Sequence, residues 1–228
     1  MNGQNSVQET PAASLDLPTP ELLLSAAADL MMERDTIDIS LNDIARKSGL
    51  NSALVKYYFG NKSGMLLAMV RRAVGASLAH LQEVVDMPIA AEDKLRLHIR
   101  GVVSSHHRHP YLHRLLHYML SQENETFAAT LSRELINPVT SAQRRILEEG
   151  AAAGVFKSVD PVMFYFHLLG ACESLFYSRS MLMSAFGIKG ITKDFKQAYV
   201  EYLCDAVMTG MMVRPMDART PVRAIPRE

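Results

Sequence analysis

The chain has 228 residues, enough for one large domain or a small and a medium one, and 48% of them are hydrophobic, which excludes global disorder. Lys plus Arg equals Asp plus Glu at 24 each, so any contact with a polyanion has to come from a local patch. Residues 1–20 contain no Lys or Arg and no apolar run approaches the roughly 20 residues of a membrane span, so the reading is a soluble, cytoplasmic protein with no membrane partner.

Residues 1–18, rich in Gln, Asn, Ser, Thr, Ala and Pro, read as a disordered arm. Thr19-Pro20-Glu21 is a helix start, with a capping hydroxyl, proline at the first helical position and an early carboxylate. Leu23, Ala26, Ala27, Leu30 and Met31 then repeat at helical spacing. Ser40 caps a second short helix carrying Leu41, Ile44 and Ala45, which Gly49 stops; Asn51 or Ser52 caps a third through Phe59; and Gly60-Asn61 separates it from a long fourth helix over about 62–85. After Pro88, apolar periodicity predicts helices at about 91–108, 110–121, 124–136, 138–153, 161–185 and 193–212, with Pro110, Pro138, Gly154, Pro161 and Gly187 to Gly190 as breakers. No segment alternates with period two, so the fold class is all-α. Residues 214–228, with three prolines and four arginines, read as a flexible basic tail.

The informative stretch runs from Ser40 to Leu67, two short helices joined by a glycine turn. Packing through Leu41, Ile44, Ala45, Leu50, Val55 and Phe59 leaves Asn51, Ser52, Ala53, Lys56, Tyr57 and Tyr58 mostly outward. Small residues followed by a lysine and two tyrosines suit a helix pushed end-first into a major groove. Residues 34–80 hold seven basic side chains (Arg34, Arg46, Lys47, Lys56, Lys62, Arg71, Arg72) against three acidic ones (Asp35, Asp38, Asp43), a local excess of four positive charges in a neutral chain.

Ser40, Ile44-Ala45, Ser48-Gly49-Leu50-Asn51, Tyr58-Phe59, Lys62 and Leu66 stand in the register of the signature of the TetR-like family of helix-turn-helix transcription regulators, which this stretch resembles. Gly154-Val155-Phe156 and Asp160-Pro161 resemble a turn frequent in the family's C-terminal half. The resemblance implies phosphate contacts from Ser40, Tyr58 and Lys62, the last aided by a helix N-terminus. It implies base edges or thymine methyls opposite Ser52, Ala53, Leu54 and Lys56, with Tyr57 leaning on the backbone. Leu54 stands where the family often has Thr, and Lys56 where it often has Tyr; the first weakens polar readout and the second adds a cation.

The C-terminal half is rich in Met, Phe and Leu, most of it core and dimer interface, with a minority suited to line a cavity for an apolar molecule. Met119, Phe164, His167 and Phe176 are the candidate effector-binding residues. His106, His107, His109, His113 and His117 cluster, and the i, i+4, i+8 spacing of the last three offers a helix face to a metal, but Pro110 interrupts it and no Cys, Asp or Glu completes a set nearby. Cys172 and Cys204 have no metal or redox spacing around them and read as buried thiols. No Gly-rich phosphate loop, nucleophile elbow or His-Glu zinc motif points to an enzyme, and no cofactor is implied.

The expected organisation is a disordered arm (1–18), a three-helix helix-turn-helix DNA-binding domain (19–67), a helical-bundle effector and dimerisation domain (68–213) and the basic tail (214–228). The expected function is a homodimeric repressor, released from palindromic double-stranded operator DNA by a small, largely apolar effector. The alternatives are a metal-responsive regulator using the His106–His117 cluster, a non-sensing architectural or partner-binding helical protein, and a small helical enzyme.

Overall fold

The computed structural model describes residues 19–121 and 125–213; the N-terminal arm and the basic tail lie outside the described residues. Eleven α-helices and one π-helical turn are described: α1 (Thr19–Glu33), α2 (Leu41–Ser48), α3 (Ala53–Phe59), α4 (Lys62–Asp86), α5 (Ala91–Arg108), α6 (Leu112–Ser121), α7 (Glu125–Leu131), the π turn (Ser132–Ile136), α8 (Asn137–Ala152), α9 (Pro161–Tyr177), α10 (Arg179–Phe186) and α11 (Lys193–Met211). The only β pairing among the described residues is an isolated bridge between Phe156 and Met212. No helix among them is long and apolar enough to cross a membrane.

Local chemistry sets the helix ends. Asp160 accepts bonds from the Val162 and Met163 amides ahead of Pro161, and the Thr192 hydroxyl accepts from the Phe195 amide, so two of the orphan starts are satisfied by side chains. Two expected boundaries differ. Pro138 does not end a helix: the chain passes from α7 through the π turn into α8, with Pro138 in the first turn of α8. Proline cannot donate and its ring crowds the carbonyl four residues back, and widening the preceding turn to a π turn accommodates both. The stretch expected as one helix at 161–185 breaks at Ser178 into α9 and α10.

Two hydrophobic cores divide the molecule. The first gathers α1, α2, α3 and the N-terminal half of α4, and it continues into Tyr111, Leu112, Leu115 and Met119 of the α6 region and Leu131 of α7. The second joins Leu81 and Val85 of α4 to α5, α8, α9 and α11. Packing therefore runs across residue 67. Polar ties reinforce it: Arg72 donates to the Glu21 and Leu24 carbonyls, Arg71 makes a two-pronged bond to Glu134 at 2.7 and 2.9 Å, and Arg114 of α6 reaches both the carboxylate and the backbone carbonyl of Asp35. Cys172 and Cys204 are buried free thiols, and burial pushes the former up to about 12.

Candidate nucleic-acid interface and the cavity behind it

Capping fixes the start of α2. The Ser40 hydroxyl accepts from the Asp43 amide at 3.0 Å and donates to the Asp43 carboxylate at 2.6 Å, while that carboxylate accepts from the Ser40 amide at 3.2 Å. Arg34 and Arg46 also donate to Asp43, and the bond from Arg34, followed by those from Ser40, holds its carboxyl well below the usual carboxylate range. The one proton of Ser40 is thus engaged. A phosphate bound here would have to compete with Asp43 for it.

Gly49 closes α2 in the left-handed region at φ 71°, where a side chain would be strained, and Leu50 donates back to the Ala45 carbonyl. Of the two capping candidates for α3, Asn51 supplies the side chain: its Oδ1 accepts from the Ala53 amide at 2.8 Å, and Ser52 makes no such bond. Val55 is fully buried and Phe59 packs against the first core. Asn51, Ala53, Lys56, Tyr57 and Tyr58 are exposed, Tyr57 by 77%, and the two tyrosine rings meet edge to face at 4.8 Å. Ser52 is half-buried. Leu54 departs from the expectation of an outward base contact, for it lies partly buried against the first core beside Val55.

Lys62 opens α4, one turn from the exposed end of α3. Asn61 caps this helix by accepting from the Gly64 amide at 2.9 Å. A Cβ on Gly64 would stand 2.1 Å from the Phe59 carbonyl oxygen, so only glycine lets α3 and α4 approach this closely. The structure also shows where the local positive excess goes. Arg34 and Arg46 pair with Asp43, Lys47 with Glu33, Arg71 with Glu134 and Arg72 with Glu21. Three of those acids lie outside residues 34–80. Lys56 and Lys62 form no ion pair among the described residues, and both sit at the α3–α4 face.

A cavity of about 140 Å³ lies between α4, α5, α6 and α9, closed at one side by Leu135 and Val139. Val74, Leu78, Leu81 and Val84 of α4 form one wall, and Tyr165, Leu169 and Glu173 form the α9 wall. None of the four expected effector residues lines it. Met119 belongs to the first core, Phe164 and Phe176 to the second, and His167 is exposed. The cavity takes the neighbouring stripe of α9, one residue out of phase; a residue turns about 100° around a helix, so one step exchanges cavity wall for core. Tyr165, Leu169 and Glu173 share this stripe at i, i+4, i+8, and Glu173 is a carboxylate in an otherwise apolar run.

The histidines disperse. His106 Nδ1 bonds the Val102 carbonyl at 2.9 Å, His107 Nε2 the Ile191 carbonyl at 3.1 Å, His109 ends α5, and His113 pairs with Glu173. Among the described residues no three His, Cys, Asp or Glu side chains converge on a metal position, so the metal-responsive alternative has no site there. Helix ends and cavity wall account for the cluster instead.

Comparison with known proteins agrees with this arrangement. Residues 23–69 match the family described as bacterial regulatory proteins, tetR family, and residues 88–217 match the tetracyclin repressor-like C-terminal domain. The HTH-type transcriptional regulator BetI of Rhizobium meliloti is 29% identical over 65 residues, covering 28% of this chain and 32% of the relative. EthR of Mycobacterium tuberculosis is 30% identical over 66 residues, covering 29% and 31%. The chain thus matches about a third of the length of these curated relatives. In three dimensions it resembles a TetR/AcrR-family transcriptional regulator from Thermobifida fusca (TM-score 0.63, 20% identity, 84% of this chain and 97% of the other). It also resembles the transcriptional regulator FadR of Bacillus subtilis, solved in complex with stearoyl-CoA (TM-score 0.60, 18% identity, 81% and 97%). With both the N-terminal motif and more than half of the chain matched, this protein belongs to the tetR family of bacterial regulatory proteins.

Proposed function

We propose that this family member is a homodimeric repressor that holds a palindromic operator through α3 and the start of α4 and is released by a small, largely apolar effector in the α4–α9 cavity. The observation that carries the reading is the course of α4. Its first residue, Lys62, stands at the candidate DNA face, and its residues from Val74 to Val84 wall the cavity. A helix of 25 residues is about 37 Å long, so one element connects the two sites. Leu112 of α6 adds a second link, being both first-core residue and cavity wall. An effector that prefers one setting of these helices shifts the spacing of the two recognition helices, and DNA opposes that effector by the same factor. The FadR complex with stearoyl-CoA supports an apolar ligand in this fold.

In this reading Lys62 and Tyr58 meet phosphates, with Ser40 available once it exchanges Asp43 for one. Asn51, Ser52, Ala53 and Lys56 face bases, Tyr57 leans on the backbone, and Leu54 contributes at most an apolar edge. Dimerisation uses α9 and α11, where Met163, Phe166, Tyr177 and Tyr202 leave large apolar surfaces exposed. A dimer on the operator would block polymerase without further contacts, which favours repression.

Selection from a random duplex pool tests the base-reading assignment. Lys56→Ala is expected to relax preference at one position of each half-site by about 1–3 kcal/mol while leaving the others intact. An unchanged consensus would remove Lys56 from base readout.

A further inference from the structure

The polar groups of the cavity are two serines, four histidines, Tyr165 and Glu173, and no Lys or Arg is among the lining residues. Burial leaves two of the imidazoles poor cations. That of His98, bonded to Gln143 at 2.9 Å, is pushed down to about 4, and that of His106 is lowered by burial against the opposing pull of its bond to the Val102 carbonyl. The carboxylate of Glu173 is the one acidic group in the wall. It acts on its surroundings, adding to the raised Tyr165 hydroxyl and opposing the fall at His106.

Its partner is an imidazole rather than a guanidinium. His113 Nδ1 meets Glu173 from α6, with the side chains 29% and 21% exposed. Imidazole can lose its proton and yield a carboxylate to a stronger cation, which arginine cannot. The wall beside this pair also holds the rings of Tyr165 and of His106, the latter 6.1 Å from that of Phe176, and the face of an aromatic ring attracts a cation. The remaining walls are Leu, Val and Gly101. A carboxylate or a phosphate would bring negative charge to Glu173 with no lysine or arginine in the wall to receive it, at the cost that attends any unpaired charge in a low-dielectric site.

We infer that the cavity accepts a lipophilic monocation, a protonated amine on a compact apolar body, with Glu173 as its counter-charge. The inference rests on the reading of the cavity as the effector site and deepens it. It sets this chain apart from the FadR relative, whose ligand carries phosphates. The volume of about 140 Å³ is close to that of an engineered apolar cavity of about 150 Å³ that admits benzene, so a single aromatic ring is the fitting size for the apolar body.

A matched series decides it: 3-phenylpropylamine, 3-phenylpropan-1-ol and 3-phenylpropanoic acid, titrated calorimetrically into the full-length protein and, in parallel, into its complex with selected operator DNA. The amine is expected to bind at least tenfold more tightly than the alcohol, with the acid weakest, and to weaken operator binding. Glu173→Gln should bring the amine to the level of the alcohol, and Glu173→Asp should restore much of the preference. Because the wild-type order of affinities is itself diagnostic, a variant that fails to fold does not spoil the test. Alcohol or acid binding as tightly as the amine, with operator release retained, would overturn the charge inference and leave the effector site standing. Failure of all three to bind would overturn both. An amine preference without any effect on DNA would keep the charge inference and overturn the sensor reading.

Discussion

The two ends of α4 meet opposite surroundings. At Lys62 the helix begins on a solvated surface where acids and bases are paired with one another, Asp43 holding two arginines and Ser40, and Glu33 holding Lys47. From Val74 onward it faces a cavity that contains one carboxylate and no lysine or arginine. The first end keeps cations in water, where a polyanion can collect them; the second keeps them out, so that a charge brought in by a ligand is strongly felt. A surface of the first kind can be specified by a short local motif. A cavity of the second kind depends on the rotational phase of four helices drawn from distant parts of the chain.

Severing the proposed dimer, which would make both ends of α4 useful, should have the largest effect. Phe166 on α9 and Tyr202 on α11 are 66% and 71% exposed, whereas Leu203 is only 4% exposed and packs in the second core of its own protomer. Phe166→Asp is expected to sediment as a folded monomer and to lose roughly 100-fold or more in operator affinity, since the second half-site no longer binds as part of the same particle. A folded Phe166→Asp dimer with intact operator binding would move the interface elsewhere.

A smaller effect sharpens the contrast in charge tolerance. His98 is neutral in the fold, its value pushed from 6.5 to about 4 by burial. As pH falls from 6.5 towards 4 the unfolded chain binds a proton that the native state refuses, so stability is lost in that window, by about 3 kcal/mol in all. Denaturant midpoints should fall across this range in the wild type, and His98→Asn should flatten the fall. An unchanged slope in the variant would show that His98 does not carry the acid sensitivity.

What could be read without coordinates follows the same division. Ser40, Gly49, Asp160 and Thr192 announce their helix ends through bonds within a few residues, and α1 to α4 were legible for that reason. The paired state of Arg71, Arg72 and Lys47 was not, because Glu134, Glu21 and Glu33 lie outside the window over which charge was counted. Nor was the cavity wall. Phe164 and Phe176 are as apolar as Leu169, and nothing in their chemistry says which of two adjacent stripes meets a packed core and which meets a void. Pro138 looked like a helix end because the π turn that accommodates it is a property of the backbone hydrogen-bond pattern rather than of residue type.

If Lys56 and Lys62 of the α3–α4 face engage DNA, operator binding must depend on salt through them. Operator affinity of wild type and Lys62→Ala should be measured across a series of salt concentrations, on the selected operator and on unrelated duplex. Loss of one phosphate contact is expected to reduce the steepness of log K against log salt by about one, and to weaken both duplexes alike, since phosphates carry no base information. Wild-type affinity and slope in Lys62→Ala at every salt concentration would contradict the account.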